Sequence, residues 1–311
     1  MNKNNTNQLF AILILLTIFT APYLWKQAVF IPKEWKTPPV LIKKQKQNPF
    51  DGLSIKAKAV YVFDITNGKV LYARNETEQL PLASLTKMMT AVVATDLIPR
   101  STVISIDKND IREEGDSGLL VNEKWRLSDI IDFTLTTSSN DGASAIATVA
   151  GSLGQNRYGV SVKQAKSDFL SKMNTKTKEL GLTGTRFLNE SGLDITEKIS
   201  GAYGTAKDVA MLMAYIIKNK SNVIDATSRS SFTISSLSGF GHTATNTNKI
   251  TAKIPGLIAS KTGFTDLAGG NLVVAFDAGM MHPIVVSVLG SSVDERFSDM
   301  EKLVNATLKS M

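Results

Sequence analysis

The apolar and polar positions change their spacing three times along the chain, and each change predicts a different kind of structure. Residues 9–25 are almost continuously apolar, and nothing between Asn4 and Trp25 is charged. Such a run can place its backbone in hydrocarbon only as a helix, and about 17–25 residues cross the bilayer core. Residues 26–52 lose the pattern and fill with lysine and proline, which favours an extended linker. Regular spacing then returns. Residues 57–64 and 69–75 read as strands around Asn67-Gly68, a hairpin dipeptide. Helical spacing follows over 85–96, 127–136 and 142–150, with Asn140 or Asp141 placed to cap the third. Residues 163–180 form an amphipathic helix stopped by Gly181, and 205–219 open on Thr205 with Asp208 three positions later. Strand patterns take over at 231–235, 257–262, 271–277 and 284–289, before a last helix over 295–309. Strands at both ends around a helical middle predict an α+β body: an antiparallel sheet built from both ends, flanked by helices, plus a helical lobe.

The expected organisation is a short tail (1–8), an apolar run (9–25), a linker (26–52) and one domain (53–311). Composition sharpens this. The 311 residues carry a net charge of +7, but residues 1–48 hold seven lysines against the single acid Glu34. Six of the seven excess charges therefore sit on the arm. The nearly neutral body has no interleaving of basic and aromatic residues, so no nucleic-acid partner is expected. Cysteine is absent, which excludes disulfides, thiolate catalysis and Cys-ligated metals. With only His242 and His282, a three-histidine metal centre is excluded too, and both are read as surface or turn residues.

Three short motifs carry candidate chemistry. Ser84-Leu85-Thr86-Lys87 puts a hydroxyl and an amine three residues apart on one helix face, where a neutral lysine can activate the serine. Ser105-Ile106-Asp107-Lys108 repeats the spacing in a strand-or-loop context and reads as surface. Ser138-Ser139-Asn140 lies between two helices, where a loop can project Ser138 and Asn140 to one side or simply cap a helix. Lys261-Thr262-Gly263 ends a strand; lysine and threonine suit a carboxylate, and glycine permits close backbone approach. Met88 and Met89, behind the nucleophile, are read as core.

Together, and in this order, the three motifs resemble those of the penicillin-recognising serine acyltransferases. The segments Pro81–Thr90, Phe187–Asp194, Tyr203–Asp208, Asn246–Asn248 and Ser260–Gly269 are similar to those of D-alanyl-D-alanine carboxypeptidases, over roughly residues 50–311. The resemblance implies a β-lactamase/transpeptidase-like fold and a serine D,D-peptidase that needs no cofactor or metal. Ser84 would attack the penultimate D-alanine of a peptidoglycan stem peptide. Lys87 would take its proton, with burial and the charge of Lys261 favouring the neutral amine, and Ser138 would pass a proton to the leaving group. Asn140, Lys261, Thr262 and Gly263 would bind substrate, and the N–H groups of Ser84 and Phe264 would face the oxyanion. β-Lactams would be covalent inhibitors. Phe264 stands where the family commonly has histidine. Arg296 resembles a family arginine near the substrate carboxylate, although a helix-start salt bridge is equally consistent.

Alternatives on the same scaffold are a D,D-endopeptidase, a β-lactamase or a membrane-tethered penicillin sensor. Against the β-lactamase, Glu190 sits in a carboxypeptidase-like segment rather than as a deacylating glutamate. The apolar run is expected to be a single-pass anchor at the cell membrane, because Phe19-Thr20-Ala21-Pro22 makes a poor cleavage site; if cleaved, the protein would be secreted. Well-known members carry a C-terminal β-domain and an amphipathic anchoring helix, and the N-terminal run would replace that anchor. The lysines after the run favour a cytoplasmic body by the positive-inside rule, but the rule weakens for long domains and the chemistry requires the body outside.

Overall fold

The computed structural model describes residues 48–311 except 113, 116 and 154–158. The expected tail, apolar run and nearly all of the linker lie outside the described residues. Among the described residues no helix is long and apolar enough to cross a membrane.

The body opens with β1 (Ala59–Asp64), β2 (Lys69–Arg74) and β3 (Leu80–Pro81), then a 3-10 turn at Ala83–Leu85 leading into α1 (Thr86–Leu97). The helical middle holds β4 (Val103–Ser105), β5 (Lys124–Arg126), α2 (Leu127–Thr137), α3 (Asn140–Leu153) and α4 (Val162–Glu179). Next come β6 (Arg186–Phe187), β7 (Ala202–Gly204), α5 (Ala206–Asn219), β8 (Ser231–Ser235) and β9 (Gly241–Thr245). The chain finishes with β10 (Leu257–Thr265), β11 (Gly269–Asp277), β12 (Pro283–Ser291) and α6 (Glu295–Ser310).

The main sheet has the order β10-β11-β12-β1-β2, so its first strand pairs antiparallel with its last, Ala59 opposite Leu289. The sheet is covered on both faces, which is why β11 and β12 are continuously apolar instead of alternating. Leu272, Val274 and Phe276 face α6 with Ile284, Val286 and Val288, against Phe297, Met300 and Leu303. Val273, Ala275, Val285 and Leu289 face the helical lobe, where Met88 and Met89 are fully buried as expected. Each such aliphatic side chain contributes about 1.5–3 kcal/mol by leaving water. Asp299 of α6, itself buried, accepts the backbone N–H groups of Lys56 and Ala57 and the Ser291 hydroxyl, tying the last helix to the entry of the first strand.

Several expectations need adjustment. Packing begins ahead of Leu53: Phe50 is buried and stacks on Tyr72 at 5.2 Å between ring centroids. His242 is not a surface or turn residue. It lies within β9, hydrogen bonds the buried Glu123 at 2.7 Å and packs on Trp125 and Phe133. His282 does sit in a turn, between β11 and β12. The cap of α3 is neither Asn140 nor Asp141, since the helix already includes both; the Ser139 hydroxyl accepts the Gly142 N–H at 2.9 Å. Thr205 caps α5 through the Asp208 N–H, as the spacing predicts.

Candidate active site

Three stretches of chain converge where the helical lobe meets the edge strand β10, and each arrives by a specific local device. Ser84 lies in the 3-10 turn, one residue after Ala83, whose φ of +50° is costly for a residue with a Cβ. That turn aims Ser84 outward, while Lys87, one helical turn on, is 1% exposed. Ser138 ends α2 in the left-handed region (φ +66°), and Ser139 opens α3. The corner is so tight that Ser138 and Asn140 face the site while Ser139 caps the helix. Both readings of Ser138-Ser139-Asn140 therefore hold, for different residues. Lys261 and Thr262 are buried on β10.

The Lys87 amine contacts Ser84 Oγ at 2.8 Å, Asn140 Oδ1 at 2.6 Å and the Ser191 carbonyl at 2.8 Å. Of these three, the amide oxygen and the carbonyl can only accept. A neutral amine giving its two protons to them turns its lone pair toward Ser84, the one of these three able to donate. This is the geometry a lysine base requires.

Lys261 Nζ donates to Ser138 Oγ at 2.8 Å and to the Thr262 carbonyl at 2.8 Å. Burial pushes its pKa well down, and the Arg296 guanidinium, together with Lys87 whenever that amine holds a proton, pushes in the same direction. The Thr262 hydroxyl bonds Thr247 at 2.5 Å. Arg296 makes no helix-start salt bridge among the described residues; its Nη1 donates to the Gly263 carbonyl at 2.8 Å, bracing β10 from behind. Phe264 is half exposed and borders a cleft of about 310 Å³ shared with Leu193, Asp194 and Asp266. On the other side a cleft of about 270 Å³ is lined by Ser117, Ser138, Asn140, Thr243 and Thr245. The second serine–lysine copy stays apart, with Ser105 and Lys108 both exposed.

Two glycines mark where backbones nearly touch. A Cβ on Gly263 would lie 2.8 Å from the Leu82 carbonyl, so β10 meets the nucleophile turn only because that side chain is missing. Gly192, at φ +83°, passes closer still: a Cβ there would sit 1.9 Å from the Ala83 carbonyl oxygen. Gly192→Ala is expected to slow acylation of Ser84 by fluorescent penicillin about 10²-fold, the scale of an ångström-sized misplacement. Stopped-flow labelling of equal amounts of folded protein measures it.

Comparison with known proteins places this geometry in a family. The sequence model of peptidase family S11, described as D-alanyl-D-alanine carboxypeptidase, matches residues 42–292. The chain belongs to that family. It is 28% identical over 273 residues to the D-alanyl-D-alanine carboxypeptidase DacF of Bacillus subtilis, covering 86% of this chain and 66% of that one. It is 32% identical over 222 residues to a D-alanyl-D-alanine endopeptidase of Pseudomonas aeruginosa, covering 68% and 64%. The chain thus spans a little under two thirds of the length of these relatives. Among solved structures it is similar to penicillin-binding protein D2 of Listeria monocytogenes in its ampicillin-bound form, with TM-score 0.66, 27% identity and coverage of 82% and 98%. The Streptomyces K15 DD-transpeptidase shares the fold at TM-score 0.73, 24% identity and coverage of 83% and 98%.

The site also holds residues that the three motifs alone do not reveal. Ser191, whose carbonyl orients Lys87, and Thr247, bonded to Thr262, both fall in segments that resemble the family. Asn271 does not. Its amide donates to the carbonyls of Pro81 (2.9 Å) and Leu82 (3.1 Å) and accepts the Gly290 N–H (2.8 Å), fastening the nucleophile turn to the sheet.

Proposed function

We propose that the chain is a serine-type D-alanyl-D-alanine carboxypeptidase that removes the terminal D-alanine from peptidoglycan stem pentapeptides. The observation that supports this reading is the meeting of the three motifs at one place, with Lys87 Nζ 2.8 Å from Ser84 Oγ and Lys261 Nζ 2.8 Å from Ser138 Oγ. Ser84 Oγ attacks the penultimate D-alanine carbonyl as its proton passes to Lys87 Nζ. The N–H groups of Ser84 and Phe264 face the developing oxyanion, where such donors act most strongly. As the C–N bond breaks, the leaving nitrogen takes a proton through Ser138, whose hydroxyl is held by Lys261. Lys261 and Thr262 receive the terminal carboxylate, Asn140 holds a substrate amide, and Arg296 acts through Gly263. The proton that leaves with D-alanine is the one Lys87 took from Ser84; water then attacks the ester, its hydroxyl joining the acyl group and its own proton passing by Lys87 to Ser84 Oγ. β-Lactams, which offer a similar carbonyl and carboxylate, acylate the same oxygen.

The endopeptidase relative supports a second reading, cleavage of cross-bridges by the same residues. The location belongs to the proposal as well: residues 9–25 hold the chain in the cell membrane, with the body on the extracytoplasmic side where its substrate lies. The deciding experiment supplies purified protein with an N-acylated L-lysyl-D-alanyl-D-alanine and, separately, with cross-linked muropeptides. Release of D-alanine from the first is expected. Cleavage of the muropeptides alone favours the endopeptidase, penicillin labelling without any peptide turnover favours a sensor, and rapid penicillin hydrolysis favours a β-lactamase.

A further inference from the structure

One end of the main sheet, apart from the active site, is built in a way the peptidase reaction does not use. The turn between β11 and β12 carries Met280 and Met281, consecutive residues with φ of +55° and +57°. Met280 is fully exposed and Met281 is 86% exposed. Left-handed backbone costs roughly 1 kcal/mol or more for each residue with a Cβ, and here it is spent on showing two apolar side chains to water. The turn is firmly held. Asp277 Oδ1 accepts the N–H groups of Gly279 (2.9 Å) and His282 (2.8 Å), and the Ala278 N–H bonds the His282 carbonyl.

A second turn is locked beside it. Asp64, buried at the end of β1, accepts the N–H groups of Thr66 and Asn67 and the His282 Nε2 contact at 2.8 Å. Asp64 also lines a cleft with Asn48, Lys69 and Val70, of which the last is 45% exposed. Asn48 is where the body takes over from the arm, and the arm ends in Lys43, Lys44 and Lys46 after its long apolar run. Exposed methionines, an exposed lysine and the attachment point of a basic, apolar arm therefore share one pole of the domain.

We infer that this pole rests on the lipid surface, with Met280 and Met281 dipping into the headgroup region of an anionic bilayer. Methionine suits the task, being flexible, unbranched and apolar. Two such side chains bind a membrane weakly on their own, but a tether on the same pole keeps them at high local concentration. The active-site opening, on β10 at the far edge of the sheet from β2, is then set at a defined height above the lipid. The inference rests on the reading of residues 9–25 as an anchor and is independent of which peptide bond the site cleaves.

The chain has no cysteine, so a single probe can be placed cleanly. Full-length Met281→Cys and Leu237→Cys, the latter in the β8–β9 hairpin, are labelled with an environment-sensitive nitrobenzoxadiazole. Each is reconstituted into phosphatidylethanolamine–phosphatidylglycerol vesicles with and without brominated acyl chains. At residue 281 the emission should shift to the blue and bromine should quench it roughly twofold, the response of a group about 5–10 Å into the interface. At residue 237 neither change is expected. If the chain floats with the vesicles but the 281 probe stays in water, the pole is overturned and the anchor stands. If the chain does not float, anchor and pole fall together, whatever the D-alanine assay gives. A blue shift that grows with protein concentration and ignores bromine would assign the pole to a second copy of the chain and overturn the lipid reading.

Discussion

Ser84→Ala is expected to abolish covalent labelling by fluorescent penicillin and to cut D-alanine release by roughly four to six orders of magnitude, the usual scale for removing a catalytic serine. The variant should fold normally, because Ser84 is partly exposed in its turn and the turn is held by other atoms. Asn271 grips the Pro81 and Leu82 carbonyls, and the Thr86 hydroxyl bonds the Ala83 carbonyl at 2.7 Å. What disappears is the one partner of Lys87, among the three described above, that can give it a proton. Residual activity from the oxyanion donors and substrate binding would survive, as in other serine hydrolases that lose their nucleophile. Gel labelling and mass spectrometry of the intact protein read the outcome. A penicilloyl adduct persisting on another residue would remove Ser84 from the mechanism.

Replacing Lys261 is expected to move activity and stability in opposite directions. Lys261→Met should lower D-alanine release roughly 10²–10⁴-fold, the range for losing an acid–base partner, because Ser138 loses the group that holds its hydroxyl. The stability effect follows from the depressed pKa of the buried amine. Above lysine's ordinary value of 10.5, folded and unfolded chains both carry it neutral and folding incurs no penalty. As pH falls below that value, the unfolded chain takes up a proton that the folded chain resists, so the native state loses stability. The loss grows until pH reaches the depressed folded value and stays constant beneath it. The native protein should therefore gain stability relative to Lys261→Met as pH rises toward 10.5, and the variant should be the more stable of the two near neutrality. Urea unfolding of both proteins across pH, compared as a difference, tests the sign. A difference that does not change with pH would mean that Lys261 is protonated alike in both states.

Much of this architecture is legible in the chain itself. The strands at 271–277 and 284–289, with the strands near the other end of the body, predict the antiparallel sheet flanked by helices that the fold shows. Ser84-x-x-Lys87 works at the level of sequence because three residues of helix or 3-10 turn bring the two side chains to one face in either geometry. Other features left no such trace. β3 and β6 are two residues long, too short for any period to register. The β9 strand over Gly241–Thr245 is polar in sequence because its inward positions go to His242, which is satisfied by Glu123, and Ala244. Ser191 acts through a backbone carbonyl, which every residue possesses, so its side chain gives no signal. Asn271 serves the turn at Pro81 from 190 residues away, and a single sequence has no means of pairing them.

That last distance bears on when Ser84 becomes reactive. A chain emerging from its N-terminal end can bring Ser84 and Lys87 together early, as neighbours on one short turn. The strap from Asn271, the amine of Lys261 and the seating of β1 against β12 all wait for the final strands. Contacts of such long sequence separation form late and slowly. Acylation of Ser84 is therefore expected only once the strands from Leu257 onward have closed the sheet behind the nucleophile turn.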